Sequence, residues 1–237
     1  MGSSRLPGKV LLPLRNRPVL AHVIERVRAS RALDAVVVAT TDGPLDDPVA
    51  HLARECDAGI FRGSENDVLS RYAGAADASR ADIVVRITAD CPLIDPDVLA
   101  AMVARFRSLR AGIEAPDLLT NSRVRSFPRG LDVEIVTSAA LEAANTEATT
   151  RYQREHVTPF IYENPDRFRI LDHIGPIDRS GYRFTLDTSD DYELLKRIFD
   201  AGKDSDALDL RLDKVLDLLA INPEWRLINA HVQQKTI

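Results

Sequence analysis

Three places in the chain gather residue types able to hold a polyphosphate and its counter-ion. The first is the opening stretch M-G-S-S-R-L-P-G-K, where Gly2, Ser3, Arg5, Gly8 and Lys9 combine small residues with two cations. Glycines let backbone N–H groups approach an anion closely, and arginine and lysine add charge and donors. The spacing departs from the Walker P-loop, G-x-x-x-x-G-K-[ST]. Five residues separate Gly2 from Gly8, and Val10 stands where a hydroxyl residue would follow Lys9. The same composition also suits a solvated basic tail.

The second and third places are aspartates. Asp90 closes A-D-I-V-V-R-I-T-A-D, and Asp187 sits in R-F-T-L-D-T-S-D-D. An acid at the carboxyl end of a strand lies where open α/β sheets bind ligands. Magnesium in nucleotide enzymes is commonly held by one or two carboxylates together with substrate phosphates. Each acid also has a structural reading. Asp90 suits the turn before Cys91 and Pro92, and Asp191 suits the first turn of a following helix.

The elements that must carry these residues can be read from periodicity. Residues 18–29, PVLAHVIERVRA, place Val19, Leu20, Val23, Ile24 and Val27 on one helical face, with Pro18 in the first turn. DAVVVATT (34–41) reads as a buried parallel strand, followed by helices near 46–56 and 66–78. The strand 81–90 delivers Asp90 and leads through CPLIDPD into a helix over 98–109. This alternation predicts an α/β fold: a mostly parallel sheet with helices on both faces. Residues 116–175 hold four prolines, a strand at 131–137 whose alternation implies one wet face, and another at 168–174. They read as a small β-containing insertion within one domain spanning 1–237. Short helices are expected near 138–145 and 151–162, and RFTLD reads as a strand closed by Asp187. The tail from Ser189 reads as helical.

Composition narrows the function classes. The formal charge of −5 over 237 residues is not the footprint of a nucleic-acid binder. Two cysteines without a C-x-x-C pair argue against a disulfide scaffold or cysteine-ligated zinc. Cys91 has no neighbour that suggests thiolate activation and reads as a packed residue. No apolar run reaches the length of a membrane span, and there is no signal-peptide pattern, so a cytoplasmic protein is expected.

Several blocks carry a resemblance along nearly the whole chain: RLPGKVLLPLRNRPVLAHVIERV, VVRITADCPLIDPDVL, FPRGLDVEIVTSAALEAA, REHVTPFIYENP and RFTLDTSDDYELLKRIF. In these the sequence resembles the SpsF-like branch of the sugar cytidylyltransferases, relatives of the acylneuraminate and 3-deoxy-manno-octulosonate enzymes. The resemblance implies a nucleotide-diphospho-sugar transferase-like fold. It also implies a reaction in which CTP and an acceptor give a CMP-linked product and pyrophosphate. By it, Arg5 and Lys9 hold the triphosphate, Asp90 and Asp187 hold Mg2+, and the loop over 61–72 lies over the nucleotide. Arg129, Asp132 and Glu134 then lie near the acceptor.

From their own chemistry, Arg86 near the end of the Asp90 strand needs an anionic partner. Glu155 and His156 in R-E-H-V-T-P-F are further acceptor candidates, with His156 equally readable as a satisfied helix residue. The resemblance further implies a central strand ahead of residue 1, so that the first strand of the sheet is expected to be missing, and a possible homodimer contact through 116–175. Two other readings stand beside this one. Asp95-Pro96-Asp97 has the letters of a glycosyltransferase D-x-D motif, although Asp and Pro are also common at helix starts. A catalytically inactive binding subunit is the second.

Overall fold

In the computed structural model, which describes residues 5–112, 115–202 and 206–234, side chains leave the sheet alternately towards two helical layers. The chain opens with a 3-10 turn, Lys9–Leu11, and a two-residue hairpin of β1 (Pro13–Leu14) and β2 (Arg17–Pro18). Arg15 and Asn16 turn that hairpin with φ of 47° and 61°, the left-handed pair that short hairpins favour. There follow α1 (Val19–Ala29), β3 (Val37–Thr41), α2 (Asp47–Glu55), β4 (Gly59–Gly63), α3 (Val68–Ser79), β5 (Ile83–Arg86) and α4 (Pro96–Arg110). The middle of the chain gives β6 (Leu118–Thr120), β7 (Glu134–Thr137), α5 (Ser138–Glu147), α6 (Arg151–His156), α7 (Pro159–Tyr162) and β8 (Ile170–Asp172). Helices α8 (Ser189–Ala201) and α9 (Leu212–Ile221) complete the fold.

Period-two alternation explains the layering. Leu118 and Val136 pack with Leu69 of α3 and Leu141 of α5. Their neighbours Leu119 and Ile135 point the other way, against Val23 of α1 and Met102 and Phe106 of α4. The result is a sheet between two helical layers, as the alternation of elements predicts.

The sheet falls into two main pieces among the described residues. β3 pairs with β4 in parallel, and a four-stranded piece runs β5-β7-β6-β8. In the latter, β5, β6 and β8 share one direction and β7 runs against them. The edges of β3 and β5 face a cleft of about 340 Å³, lined by Val37, Ala39, Ile83, Val85, Tyr72 and Phe106 together with Asp34, Asp82 and Arg107.

Three local expectations need correction. Residues 116–175 do not sit on the sheet as an insertion: they supply β6, β7 and β8, with β7 an interior strand. β7 has no wet face. All four of its residues are buried, and the polar alternation that suggested water is satisfied internally, with Glu134 bonded to Arg86 and Thr158. The segment before Asp187 is extended but makes only one isolated bridge, Arg129 to Arg183, instead of a strand.

One buried charge ties the far end of the chain to this frame. Arg26, on α1, is 1% exposed and donates to three carbonyls: Ile94 at 2.7 Å, Ala207 at 2.9 Å and Leu210 at 2.7 Å. Asp95 completes the joint. Its Oδ1 caps α4 by accepting from Asp97 and Val98, and its Oδ2 accepts from the Leu212 backbone N–H at 2.7 Å. Replacing Arg26 by leucine removes the side-chain donor from the Ile94 and Leu210 carbonyls, each worth about 1–3 kcal/mol, while the Ala207 carbonyl keeps the Leu210 N–H at 3.3 Å. We expect Arg26→Leu to lower unfolding stability by about 3 kcal/mol or more, read from the midpoint and slope of urea denaturation.

Candidate active site

Residues far apart in sequence meet at the carboxyl end of β5. Gly8, at φ 70°, turns the chain into the 3-10 segment that begins with Lys9. The Lys9 ammonium lies 2.6 Å from Asp90 Oδ2 and 2.8 Å from Asp187 Oδ1. Asp90 leaves the sheet just after β5. Asp187 is brought beside it by backbone pairing, because the Leu186 N–H donates to the Asp90 carbonyl at 2.8 Å.

The Asp187 segment is held on its other side by Gly130. That glycine has φ 99°, and a β-carbon there would stand 2.6 Å from the Phe184 carbonyl carbon and 2.6 Å from the Thr185 nitrogen. Only glycine supports both the conformation and the approach. The Phe184 N–H then donates to the Arg129 carbonyl at 2.7 Å.

Behind Asp187 stands a closed ionic network. Arg183 donates to Asp187 Oδ2 at 2.7 Å and to both oxygens of Asp191, at 2.9 and 3.2 Å. Asp191, 1% exposed, accepts from the backbone N–H groups of Asp187 and Thr188, each at 3.0 Å, and from Asn229 at 2.9 Å. Arg5 reaches the same Asp187 Oδ2 at 3.1 Å. Burial would raise the Asp187 carboxyl, but Lys9, Arg183 and Arg5 together hold it below its ordinary 3.8. Burial likewise works against the Lys9 ammonium, yet the two carboxylates outweigh it and keep it above 10.5.

A polar cavity of about 520 Å³ lies alongside, lined by Arg86, Thr120, Glu134, His156, Thr158 and Tyr162 among others. Gln234 also lines it and accepts from Arg183 at 3.0 Å, which joins the cavity to the aspartate pair. Within it Arg86 pairs with Glu134 at 2.5 Å, and Thr158 donates to the other Glu134 oxygen at 2.6 Å. Val157 sits between α6 and α7 at φ 75°, an unfavourable angle for a β-branched residue. That break puts the Val157 side chain in the core while His156 and Thr158 both face the cavity. Two nitrogens here, Arg86 Nε and His156 Nε2, are buried without a hydrogen-bond partner. Burial pulls the His156 pKa below 6.5, Glu155 opposes this, and Arg86 adds to it.

The candidates read from sequence therefore separate into groups. Arg5, Lys9, Asp90 and Asp187 converge, and Arg86, Glu134 and His156 share the neighbouring cavity. Asp132 orients Arg125 on that cavity's rim, at 2.7 Å. Arg129 lines a different cavity, with Tyr182 and Arg226, and Glu155 is turned towards Arg151 at 3.6 Å. Gly2 and Ser3 lie outside the described residues. In the 61–72 loop, Asp67 caps α3 and pairs with Arg154, while Arg62 donates to the carbonyls of Thr41 and Gly43. Cys91 is packed, as expected, at 2% exposure. Asp95 of the D-x-D letters is a buried helix cap and is not available as a metal ligand.

Sequence reasoning missed Arg183, Asn229, Gln234 and Thr158. Arg183 carried a faint signal, since it precedes Asp187 and Asp191 at intervals of four. Asn229 and Gln234 carried none.

Cations from a glycine-bearing loop face two acids at the carboxyl edge of an α/β sheet, the groups that a nucleotidyltransferase would need. Comparison with known proteins gives the family. The family model described as cytidylyltransferase matches residues 1–218. The spore coat polysaccharide biosynthesis protein SpsF of Bacillus subtilis is 33% identical over 94% of this chain and 92% of its own. A 3-deoxy-manno-octulosonate cytidylyltransferase of Anaeromyxobacter dehalogenans is 31% identical over 85% of this chain and 95% of its own. Among solved structures, a cytidylyltransferase from Leptospira borgpetersenii superposes with a TM-score of 0.85 at 37% identity, covering 100% of this chain and 94% of that one. The chain belongs to the cytidylyltransferase family and is a CTP-dependent nucleotidyltransferase. Among the described residues no helix is long and apolar enough to cross a membrane.

The close approach at Gly130 gives a direct test of how Asp187 is positioned. Gly130→Ala should displace the 183–187 segment and slow CTP-dependent pyrophosphate release about 10²-fold, the usual cost of misplacing a reacting group by an ångström. The strained φ should cost about 1–3 kcal/mol of stability in the same variant, read by chemical denaturation.

Proposed function

We propose that the protein transfers CMP from CTP to a hydroxyl of a sugar-like acceptor bound in the Arg86–Glu134–His156 cavity, releasing pyrophosphate in a Mg2+-dependent reaction. The observation that supports this most directly is the meeting of Lys9 and Arg5 with Asp90 and Asp187 beside that cavity. The relatives named for spore-coat polysaccharide and octulosonate chemistry support an acceptor of the sugar class.

The donor set fits magnesium. Among the described residues there is no cluster of three or more histidines, cysteines, aspartates or glutamates that could hold a metal. Two carboxylates completed by substrate phosphate oxygens are what magnesium commonly uses. Asp90 and Asp187 would hold the ion, and when bound it would neutralise charge on phosphate oxygens.

The chain's own groups do the rest. Arg5 and Lys9 meet the β- and γ-phosphates and favour the departing pyrophosphate by fixed positive charge. Arg183 and Asp191 keep Asp187 oriented. In the cavity, the Arg86 Nε–H donates to an acceptor oxygen, and neutral His156 offers Nε2 to a second. Thr158 and Arg86 fix Glu134 against the acceptor. The acceptor hydroxyl releases its proton to solvent and its oxygen forms a bond to the α-phosphorus as the bond from that phosphorus to the pyrophosphate oxygen breaks.

Incubating the protein with CTP, Mg2+ and a panel of acidic and neutral sugars should yield pyrophosphate with at least one acceptor. Asp90→Asn should lower that rate about 10²–10³-fold while the protein stays folded. Undiminished release by Asp90→Asn would remove Asp90 from the site, and release with none of the panel would remove the sugar-class acceptor.

His156 supplies a pH signature. Its folded-state pKa lies below 6.5, so the neutral ring persists in mildly acidic solution and is protonated only as pH falls through the depressed value. The KM for the acceptor should therefore rise below pH 6.5. His156→Asn should raise that KM at neutral pH and flatten its acid limb. An acid limb unchanged in the variant would exclude His156 from acceptor binding.

A further inference from the structure

We propose that Lys9 is a resident counter-cation that keeps the Asp90–Asp187 pair closed to divalent ions until a polyphosphate draws it away. This rests on the reading of those two aspartates as the metal ligands. The geometry that carries it is the ammonium itself, 2.6 Å from Asp90 and 2.8 Å from Asp187. An ion taken by both carboxylates needs Asp187 Oδ1, the oxygen that Lys9 now holds, because Oδ2 is bound by Arg183 and Arg5. The ammonium and a divalent cation therefore compete for one seat.

The surroundings are arranged for exchange. Asp187 keeps its second oxygen bound to Arg183 at 2.7 Å and Arg5 at 3.1 Å, so only Oδ1 is released when Lys9 leaves. Asp90 has no comparable second clamp. Among the described residues, its carboxylate meets only the Cys91 thiol apart from Lys9, at 3.6 Å. Lys9 uses two of its three N–H donors here, and its backbone is pinned in the 3-10 turn by Leu12 N–H donating to the Lys9 carbonyl at 3.2 Å. The flexible four-carbon stem is then the moving part. A triphosphate offers the ammonium several charged oxygens in place of two carboxylates. The same ligand brings the oxygens that complete a magnesium shell. Nucleotide binding and metal loading are thereby coupled through one side chain, and the reciprocity of linkage makes each ligand strengthen the other.

The test is a titration with Mn2+, followed by electron paramagnetic resonance of the free ion, on the intact protein with and without CTP. Without nucleotide, Lys9→Met, which keeps the bulk and removes the charge, should bind Mn2+ at least about tenfold more tightly than the unmodified protein. Lys9→Arg, which keeps the charge, should remain as weak as the unmodified protein. Adding CTP should tighten Mn2+ binding strongly in the unmodified protein and much less in Lys9→Met. In EDTA, Lys9→Met should melt at lower temperature, with the loss reversed by Mn2+. Lys9→Met that binds Mn2+ no more tightly than the unmodified protein overturns the competition while leaving the aspartates as ligands. No Mn2+ binding by any form, even with CTP, overturns the metal reading itself.

Discussion

Two carboxylates within hydrogen-bond reach of one nitrogen repel each other, and much of the surrounding structure manages that repulsion. Asp90 and Asp187 share the Lys9 ammonium in a partly buried setting where like charges are costly. Left alone, such a pair would take up a proton or move apart. Here Arg183 takes half the load, and Asp191 in turn holds Arg183, so each charge is answered by another. Asp191 is the keystone because it is fully enclosed. Its oxygens are met by guanidinium, backbone N–H, hydroxyl and amide donors, the condition under which a buried charge is tolerated. The helix α8 starts at the same place, so the positive end of its dipole faces Asp191 as well.

This arrangement depends on backbone and not only on charge. Asp187 does not come from a regular strand. Its place is set by two hydrogen bonds, one from Leu186 to Asp90 and one from Phe184 to Arg129, with Gly130 letting the chains pass. Those bonds hold the segment ending at Gly130 and the segment after β5 at a fixed separation. β7, running against its neighbours, continues from the Gly130 turn into the middle of the sheet. The reversed strand therefore joins the interior of the sheet to the loop that positions Asp187.

How much of this was legible in sequence follows from the physics of each signal. Asp90 could be singled out because an acid just past a strand end follows a local pattern, whereas Asp187 was singled out through a strand reading of a segment that forms only an isolated bridge. Lys9 and Arg5 could be found from composition. Arg183 and Asn229 were not found, because their partners are set by tertiary approach. The β7 expectation failed for a specific reason. Alternating Asp132 and Glu134 resembles a solvated face, but each acid has an arginine opposite it, Arg125 and Arg86 respectively. Sequence pattern reports polarity, and the structure decides whether water or another side chain answers it. The 116–175 segment was misread for a related reason. Its prolines and short runs look like an excursion, yet β6 and β7 are bound on both sides by other strands.

The cavity beside the aspartates has a charge balance that bears on selectivity. Arg86 is paired with Glu134, Arg125 with Asp132, and Arg123 with Asp172. Three guanidinium groups thus face the cavity with three carboxylates already bound to them. A cavity built to capture an anion by net charge would leave its cations unpaired. This one offers instead fixed directions: the unpartnered Arg86 Nε–H and His156 Nε2, held by the Glu134 pairing and by the break at Val157. Paired ions also resist rotation, so those directions are kept before a ligand arrives. An acceptor would then be selected by where its oxygens lie more than by how much charge it carries. A site of that kind gains its discrimination from the cost of leaving a buried polar group unmatched, which is steep when an oxygen is absent or displaced.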